Sequence, residues 1–230
     1  KESRGFRFVK LIHKNDLLID SVTLLFEYLP LKKKGDFKCS NQKLNNIYET
    51  SVYTLQLNSR EFFIDGIKRD RWAWSGDAVQ NYLLNYYLYF DKEINKRTII
   101  ALRGKDPVES HINTILDYSF YWIISIYDYY IYTGDIRFIK QIYPKMITLM
   151  DFCLNRRNEN GFMEGKADDW VFIDWADIDK TGENCAVQIL LWKSLQTMTF
   201  FADILNDNEN HIKYLNISNK LKSNINNVFW

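Results

Sequence analysis

Proline and glycine are scarce, with three Pro and nine Gly in 230 residues. That is about 5 % of positions, against a usual share near 12 %. Together with 47 % hydrophobic and 16 % aromatic residues, this scarcity excludes a collagen-like chain, a low-complexity linker and a disordered tail. Cysteine is also rare. Cys39, Cys153 and Cys185 are odd in number, far apart and free of any Cys-x-x-Cys spacing, which argues against a disulfide framework and a zinc ribbon. His13, His111 and His211 are equally scattered, so no His-based metal site is expected. Neither sign of charge dominates: 30 Lys+Arg stand against 29 Asp+Glu. A general polyanion binder shows a basic excess or stripe, and Lys32-Lys33-Lys34 reads instead as a solvated turn. No apolar run reaches the 18 residues that a bilayer span requires.

What is present is a chain dense in Tyr, Phe and Trp, in two stretches of different character. Residues 1–38 include Phe6, Phe8 and Leu11 and the run 17-LLIDSVTLLFEYLPL-31, rich in β-branched and aromatic residues and bracketed by Pro30 and Gly35. They predict two or three strands ending a preceding β-domain. From about residue 40 the period becomes helical, with Ser40 as a candidate N-cap and Leu44, Ile47, Tyr48, Val52 and Leu55 on one face. The runs 78–90 and 118–132 are apolar on most sides, as in helices enclosed by others. Gly134 suits a left-handed helix end and Asp135 the next N-cap. Pro144 is expected to kink or split the helix over 136–154. Residues 155–184 form a long irregular connection, a length that marks functional or disordered loops. Helices over roughly 184–206 and 208–229 complete at least six, joined largely as helical hairpins. The chain opens at Lys1 without a leader-like segment and stops at Trp230 inside a predicted helix, which suggests a piece of a longer protein.

Three segments could carry chemistry. The first, 61-EFFIDGIKRDRWAWSGD-77, interleaves Asp65, Asp70 and Asp77 with Lys68, Arg69 and Arg71 around Trp72 and Trp74. Aromatic faces that cover sugar C–H groups, with carboxylates and arginine for the hydroxyls, would make a carbohydrate pocket. An ion-pair knot capping two helices would use the same residues, and composition weighs the two equally. The second, 168-DDWVFIDWADIDKTGE-183, alternates Trp170 and Trp175 with Asp168, Asp169, Asp174, Asp177, Asp179 and Glu183. Asp177 and Asp179 lack the sixth-position Gly and twelfth-position Glu of an EF-hand. The acids from Asp177 to Glu183 fit an ordinary helix start, and the tryptophans fit packing as well as a substrate wall. The third, at the head of the run 117–130, places Asp117 and Trp122 at a helix start; Tyr121 and Tyr129 fit a core.

The phrases 65-DGIKRDRWAWSGD-77, 121-YWIISIYDYYIYTGD-135 and 169-DWVFIDWADIDKTGE-183 resemble the six-hairpin catalytic domain of bacterial α-L-rhamnosidases, glycoside hydrolase family 78. The opening 5-GFRFVKL-11 resembles the end of the β-sandwich that precedes it. The resemblance implies a mainly α (α/α)6 toroid, of which residues 39–230 supply about the first half and residues 1–38 the sandwich's last strands. It implies inverting hydrolysis of terminal α-L-rhamnosyl bonds, with no cofactor or metal, a carbohydrate as partner, and neither nucleic acid nor a membrane span. By position in the phrase, Asp70 is the proton donor and Asp65, Asp77, Arg69 and Trp74 line the sugar site. Trp122, Trp170, Asp174 and Trp175 are further carry-overs to it. The family phrase often reads Arg-Asp-Glu-Arg, with Glu as the acid; Arg69-Asp70-Arg71 lacks that Glu, and Asp reaches one methylene less far. No phrase matches the family's general base, which would fall beyond Trp230. A six-hairpin glycosidase of other specificity, a non-catalytic carbohydrate-binding toroid and a purely structural helical protein remain alternatives. Linkage, aglycone, compartment and oligomeric state are left open.

Overall fold

The structure, a computed structural model, describes residues 4–230 and contains seven α-helices. These are α1 (Gln42–Asn58), α2 (Ser75–Leu88), α3 (Lys92–Arg103), α4 (Leu116–Thr133), α5 (Ile136–Asn155), α6 (Cys185–Ile204) and α7 (Asn208–Phe229). A short 3₁₀ turn, Ile112–Thr114, precedes α4.

Three connections are tight and three are long. Tyr89–Asp91, Gly134–Asp135 and Leu205–Asp207 join α2 to α3, α4 to α5 and α6 to α7. Connections this short make each pair antiparallel. Along the row, α4 packs against α2 on one side and α6 on the other, while α3 touches α5. The inner row is therefore α2, α4 and α6, running in one direction, and α3, α5 and α7 back it. Tight turns gather at one end of the molecule. The long segments 59–74, 104–115 and 156–184 gather at the other, where the inner helices begin.

Enclosure explains the character of α4. It buries ten residues, among them Phe120, Trp122, Ile123, Ile126 and Tyr129, because neighbours cover it on nearly every side. The helix ends at Gly134, whose φ of 62° and ψ of 16° are left-handed, a conformation that costs glycine little. Asp135 then caps α5, accepting from Phe138 N–H at 3.2 Å. Burial works against its charge, but Lys96, the Phe138 N–H and the Tyr129 hydroxyl outweigh it and hold the carboxyl down at about 2.

Four expectations need correction or refinement. The strands expected over residues 1–38 are absent: residues 4–41 form no regular element, and residues 1–3 lie outside the described residues. A strand requires a neighbour to receive its N–H and C=O groups, and the helical remainder offers no sheet edge. Side chains meant to pack between strands instead face solvent, Phe8 at 88 % and Leu18 at 90 % exposure. The α1 cap is Asn41, not Ser40; its side chain accepts from Lys43 and Leu44 N–H at 3.0 and 3.4 Å. Pro144 does not split its helix, since α5 runs through it as one element. Finally, α3 was not foreseen, although Asp91 caps it through Glu93 and Ile94 N–H, both at 3.0 Å.

Candidate active site

Asn or Asp side chains cap α1, α3, α5, α6 and α7, whereas α2 and α4 begin at Trp74 and Ile115 with no side-chain cap. These two adjacent helix starts are laced together. Asn113 accepts from Ser75 N–H at 3.0 Å and donates to Ala73 C=O at 3.1 Å, while the Ser75 hydroxyl donates to Tyr118 C=O at 2.9 Å. Asn113 makes this link from a left-handed φ of 55°, which asparagine tolerates better than most residues. The Tyr118 ring lies against Gly76, where a Cβ would come within 2.7 Å of it. Only glycine permits that approach.

The first segment folds as a loop pinned at its base. Asp65 and Trp72 bond in both directions: Asp65 N–H to Trp72 C=O at 3.0 Å, and Trp72 N–H to the Asp65 carboxylate at 2.9 Å. Asp70 and Arg69 stand at the exposed tip. Asp77 lies in the first turn of α2. The residue as a whole is exposed, yet its carboxyl is half-enclosed; that burial, then Asp65 and Asp70 nearby, pushes its pKa up. The three acids are thus close enough to feel one another. Trp74 is part-buried, and its indole N–H has no acceptor among the described residues.

The second segment crosses the start of α4. Trp170 N–H donates to Thr114 C=O and Leu116 N–H to Trp170 C=O, both at 3.0 Å, as one parallel bridge. Beyond it, Phe172 and Ile173 N–H donate to the two carboxylate oxygens of Asp117, each at 3.3 Å. Ile173 adopts a φ of 55°, a strained position for a β-branched residue that neighbouring bonds must hold. Burial pushes the Asp117 carboxyl up against the pull of those N–H groups. Trp170, Phe172 and Trp175 form an edge-to-face cluster with ring centroids 5.0–6.1 Å apart. Phe172 also meets Tyr118 edge-on at 5.9 Å. Burial, then Asp77 and Asp117, raises the Tyr118 phenol, so this ring joins the two segments.

The expected residues therefore divide. Asp65, Asp70, Asp77, Arg69 and Trp74 lie at the start of α2, and Trp170, Asp174 and Trp175 lie on the loop over α4. Trp175 is 81 % exposed and Trp170 45 %. Asp174 accepts from Trp175 N–H at 2.6 Å, while its carbonyl receives Lys180. Trp122 stands apart: it has no exposed surface, and its indole donates to Ile99 C=O at 2.8 Å. It is a core anchor between α4 and α3. Sequence reading passed over Asn113 and Tyr118, which hold the two halves together. An Asn just before an apolar run was a usable signal for Asn113, whereas Tyr118 looks like any core aromatic.

A buried polar node anchors the rest of the long loop. Arg156 donates to Asp168 at 2.7 Å and Asp169 at 2.8 Å. His111, 2 % exposed, shares a 2.9 Å hydrogen bond with Ser119 and lies 3.9 Å from Asp169. Burial takes its pKa down to about 4, and burial likewise pushes the adjacent Cys153 thiol up to about 12. Both groups are neutral and inert at pH 7. Among the described residues no group of three His, Cys, Asp or Glu is placed to hold a metal ion. No helix among them is long and apolar enough to cross a membrane.

Paired helices in two layers define a helical-hairpin domain, with acids and aromatics gathered at the inner-helix starts on its long-loop end. Residues 32–230 match the family described as the bacterial alpha-L-rhamnosidase 6 hairpin glycosidase domain, and the chain belongs to that family. An alpha-L-rhamnosidase of Formosa agariphila is 27 % identical over a 198-residue alignment that covers 74 % of this chain and 20 % of that protein. The GH78 rhamnosidase structure of Bacillus sp. GL1 superposes with a TM-score of 0.78 at 26 % identity, covering 87 % of this chain and 22 % of that one. A rhamnosidase from Klebsiella oxytoca with rhamnose bound gives 0.71 at 25 % identity, with 84 % and 40 % covered. The chain thus spans about a fifth to two fifths of the length of these relatives.

Proposed function

We propose that residues 39–230 contribute to the catalytic domain of an α-L-rhamnosidase that releases terminal α-L-rhamnosyl residues with inversion. The observation that carries this reading is the gathering of Asp65, Asp70 and Asp77 at the uncapped start of α2, beside the Trp170–Phe172–Trp175 cluster. Membership of the rhamnosidase family and the rhamnose-bound relative support rhamnose over other sugars.

In this reading the Asp70 carboxylic acid protonates the glycosidic oxygen as the bond to the sugar breaks. A second carboxylate, about 6.5–9.5 Å away in inverting enzymes, draws the proton from a water that attacks the opposite face. That second role is not assigned to Asp174, Asp177 or Glu183, the local acids; the family resemblance puts it beyond Trp230. Asp65, Asp77 and Arg69 bind sugar hydroxyls, while Trp74, Trp170 and Trp175 offer faces to its C–H groups.

The test is hydrolysis of a chromogenic α-L-rhamnopyranoside by the full-length protein beside its Asp70→Asn variant. A loss of roughly 100-fold or more is expected. Activity that survives the substitution moves the donor elsewhere. No turnover by the unmodified protein favours another sugar or a binding role.

A further inference from the structure

A cleft of about 350 Å³ opens between the segment leaving α5 and the second half of α7. It lies outside the carboxylate site and uses none of its residues. Leu154, Ile217 and Leu221 supply apolar lining, and Arg157 and Lys220 supply two positive charges.

Those charges are unanswered. Arg156, one residue earlier, is held by two aspartates. Arg157 instead spends its Nε–H on Leu154 C=O at 3.1 Å. Its guanidinium is part-buried, and burial alone perturbs it, downward, with no carboxylate contributing. Lys220 has no hydrogen-bond or ion-pair partner among the described residues. Glu159 lines the same cleft yet pairs with neither cation. Glu183, the other nearby acid, is taken by the side-chain amides of Asn158 and Asn160. A half-enclosed guanidinium without an anion is costly, and a planar fork of donors is shaped for a carboxylate.

The walls add a second requirement. Asn224 donates to Asn160 C=O at 3.1 Å, which fixes its amide at the cleft with its oxygen free to accept a hydroxyl. The apolar lining, the amide and two cations that share the cleft together match a pyranose ring that carries an acid. The volume lies at the lower end of the ~300–1,000 Å³ range of ligand pockets and suits one ring.

We propose that this cleft binds a hexuronate residue, its carboxylate on Arg157 and Lys220 and its ring over Ile217. The saccharide part rests on the function proposed above; the anion part stands on the two cations alone. A substrate glycan with an acidic sugar near its terminal rhamnose would then be held at two places.

The test is titration of the full-length protein with D-galacturonate, D-galactose and inorganic sulfate, followed by ligand-observed NMR. Galacturonate is expected to bind at least ten-fold more tightly than galactose. Arg157→Met and Lys220→Met should each weaken it roughly ten-fold, with Arg157→Lys retaining part of the affinity. Lys220 is exposed, so its replacement leaves folding intact, and hydrolysis of a neutral rhamnoside should not change in either variant. Equal binding of galacturonate and galactose, or unchanged affinity in both Met variants, overturns the proposal. Sulfate binding as tightly as galacturonate overturns the saccharide part. Absence of rhamnoside hydrolysis by the unmodified protein bears on the proposed function and leaves this titration readable.

Discussion

A carboxylate with no exposed surface is costly unless hydrogen bonds hold its charge. Asp117 meets that condition with Phe172 and Ile173 N–H, and in doing so fixes a strained isoleucine and the aromatic cluster around it. Asp117→Asn turns one acceptor into a donor facing an N–H. It is expected to cost about 1–3 kcal/mol and to speed amide hydrogen exchange at Phe172 and Ile173, while exchange at the core of α6 stays slow. Trp74 makes the opposite case, since its buried N–H has no acceptor among the described residues. Removing an unsatisfied donor without changing shape is near neutral or stabilising. Trp74→Phe also removes one ring of a part-buried side chain, so the gain from losing the donor is offset and the chemical denaturation midpoint should change little. A fall in kcat/KM without a fall in stability would place that face against the substrate.

Among elements, legibility followed how local the signal was. Gly134 and Asp135 could be read because the turn and cap they form need only their neighbours in sequence. Helix α3 carried comparable local signals in Asp91, Ile94, Thr98 and Gly104, and was hidden only by its polar surface between two aromatic helices. The strands expected over residues 1–38 failed for the contrary reason: strand propensity has no outlet without a partner. In the site, the acids and tryptophans of 65–77 and 168–183 were visible as composition. Their meeting through Asn113 and Tyr118 depends on packing between α2 and α4, which spacing does not encode. Trp122 was expected at the sugar site and is a core anchor because α3 covers it. Pro144 offers a test at this scale, since its exposed ring denies an N–H to Lys140 C=O within α5. Pro144→Ala is expected to stabilise the protein by about 1–2 kcal/mol, the restored helix outweighing the looser unfolded chain. Calorimetry would show it as a higher Tm.

For the molecule as a whole, acid stability should turn on the node of His111, Asp169, Arg156, Asp168 and Cys153. The folded His111 value of about 4 lies below its ordinary 6.5, so the unfolded chain takes up a proton that the fold refuses. This contribution is complete above pH 6.5 and is lost as pH falls toward 4, amounting to about 3 kcal/mol. The raised carboxyls of Asp77 and Asp117 act with the opposite sign, gaining as pH falls. Asp135, held at about 2, gives way only below pH 4. Urea titrations at pH 7 and 4.5 should show His111→Gln losing less stability than the unmodified protein. A second expectation concerns surface. Phe8, Leu18, Val22, Leu25 and Trp230 are widely exposed, so the isolated 230-residue chain should self-associate. Sedimentation would detect this, and Phe8→Lys with Leu18→Lys should reduce it.

The sorting of connections to opposite ends makes the molecule polar in a practical sense. Turns of two or three residues leave no slack, so they set the geometry of the hairpins and tolerate little insertion. The loops at the far end can lengthen or change sequence without disturbing the helices beneath. With Cys39 and Cys185 replaced by serine, a cysteine placed at the turn of Leu205–Asp207 and coupled to a solid support would hold every molecule with its long-loop face outward.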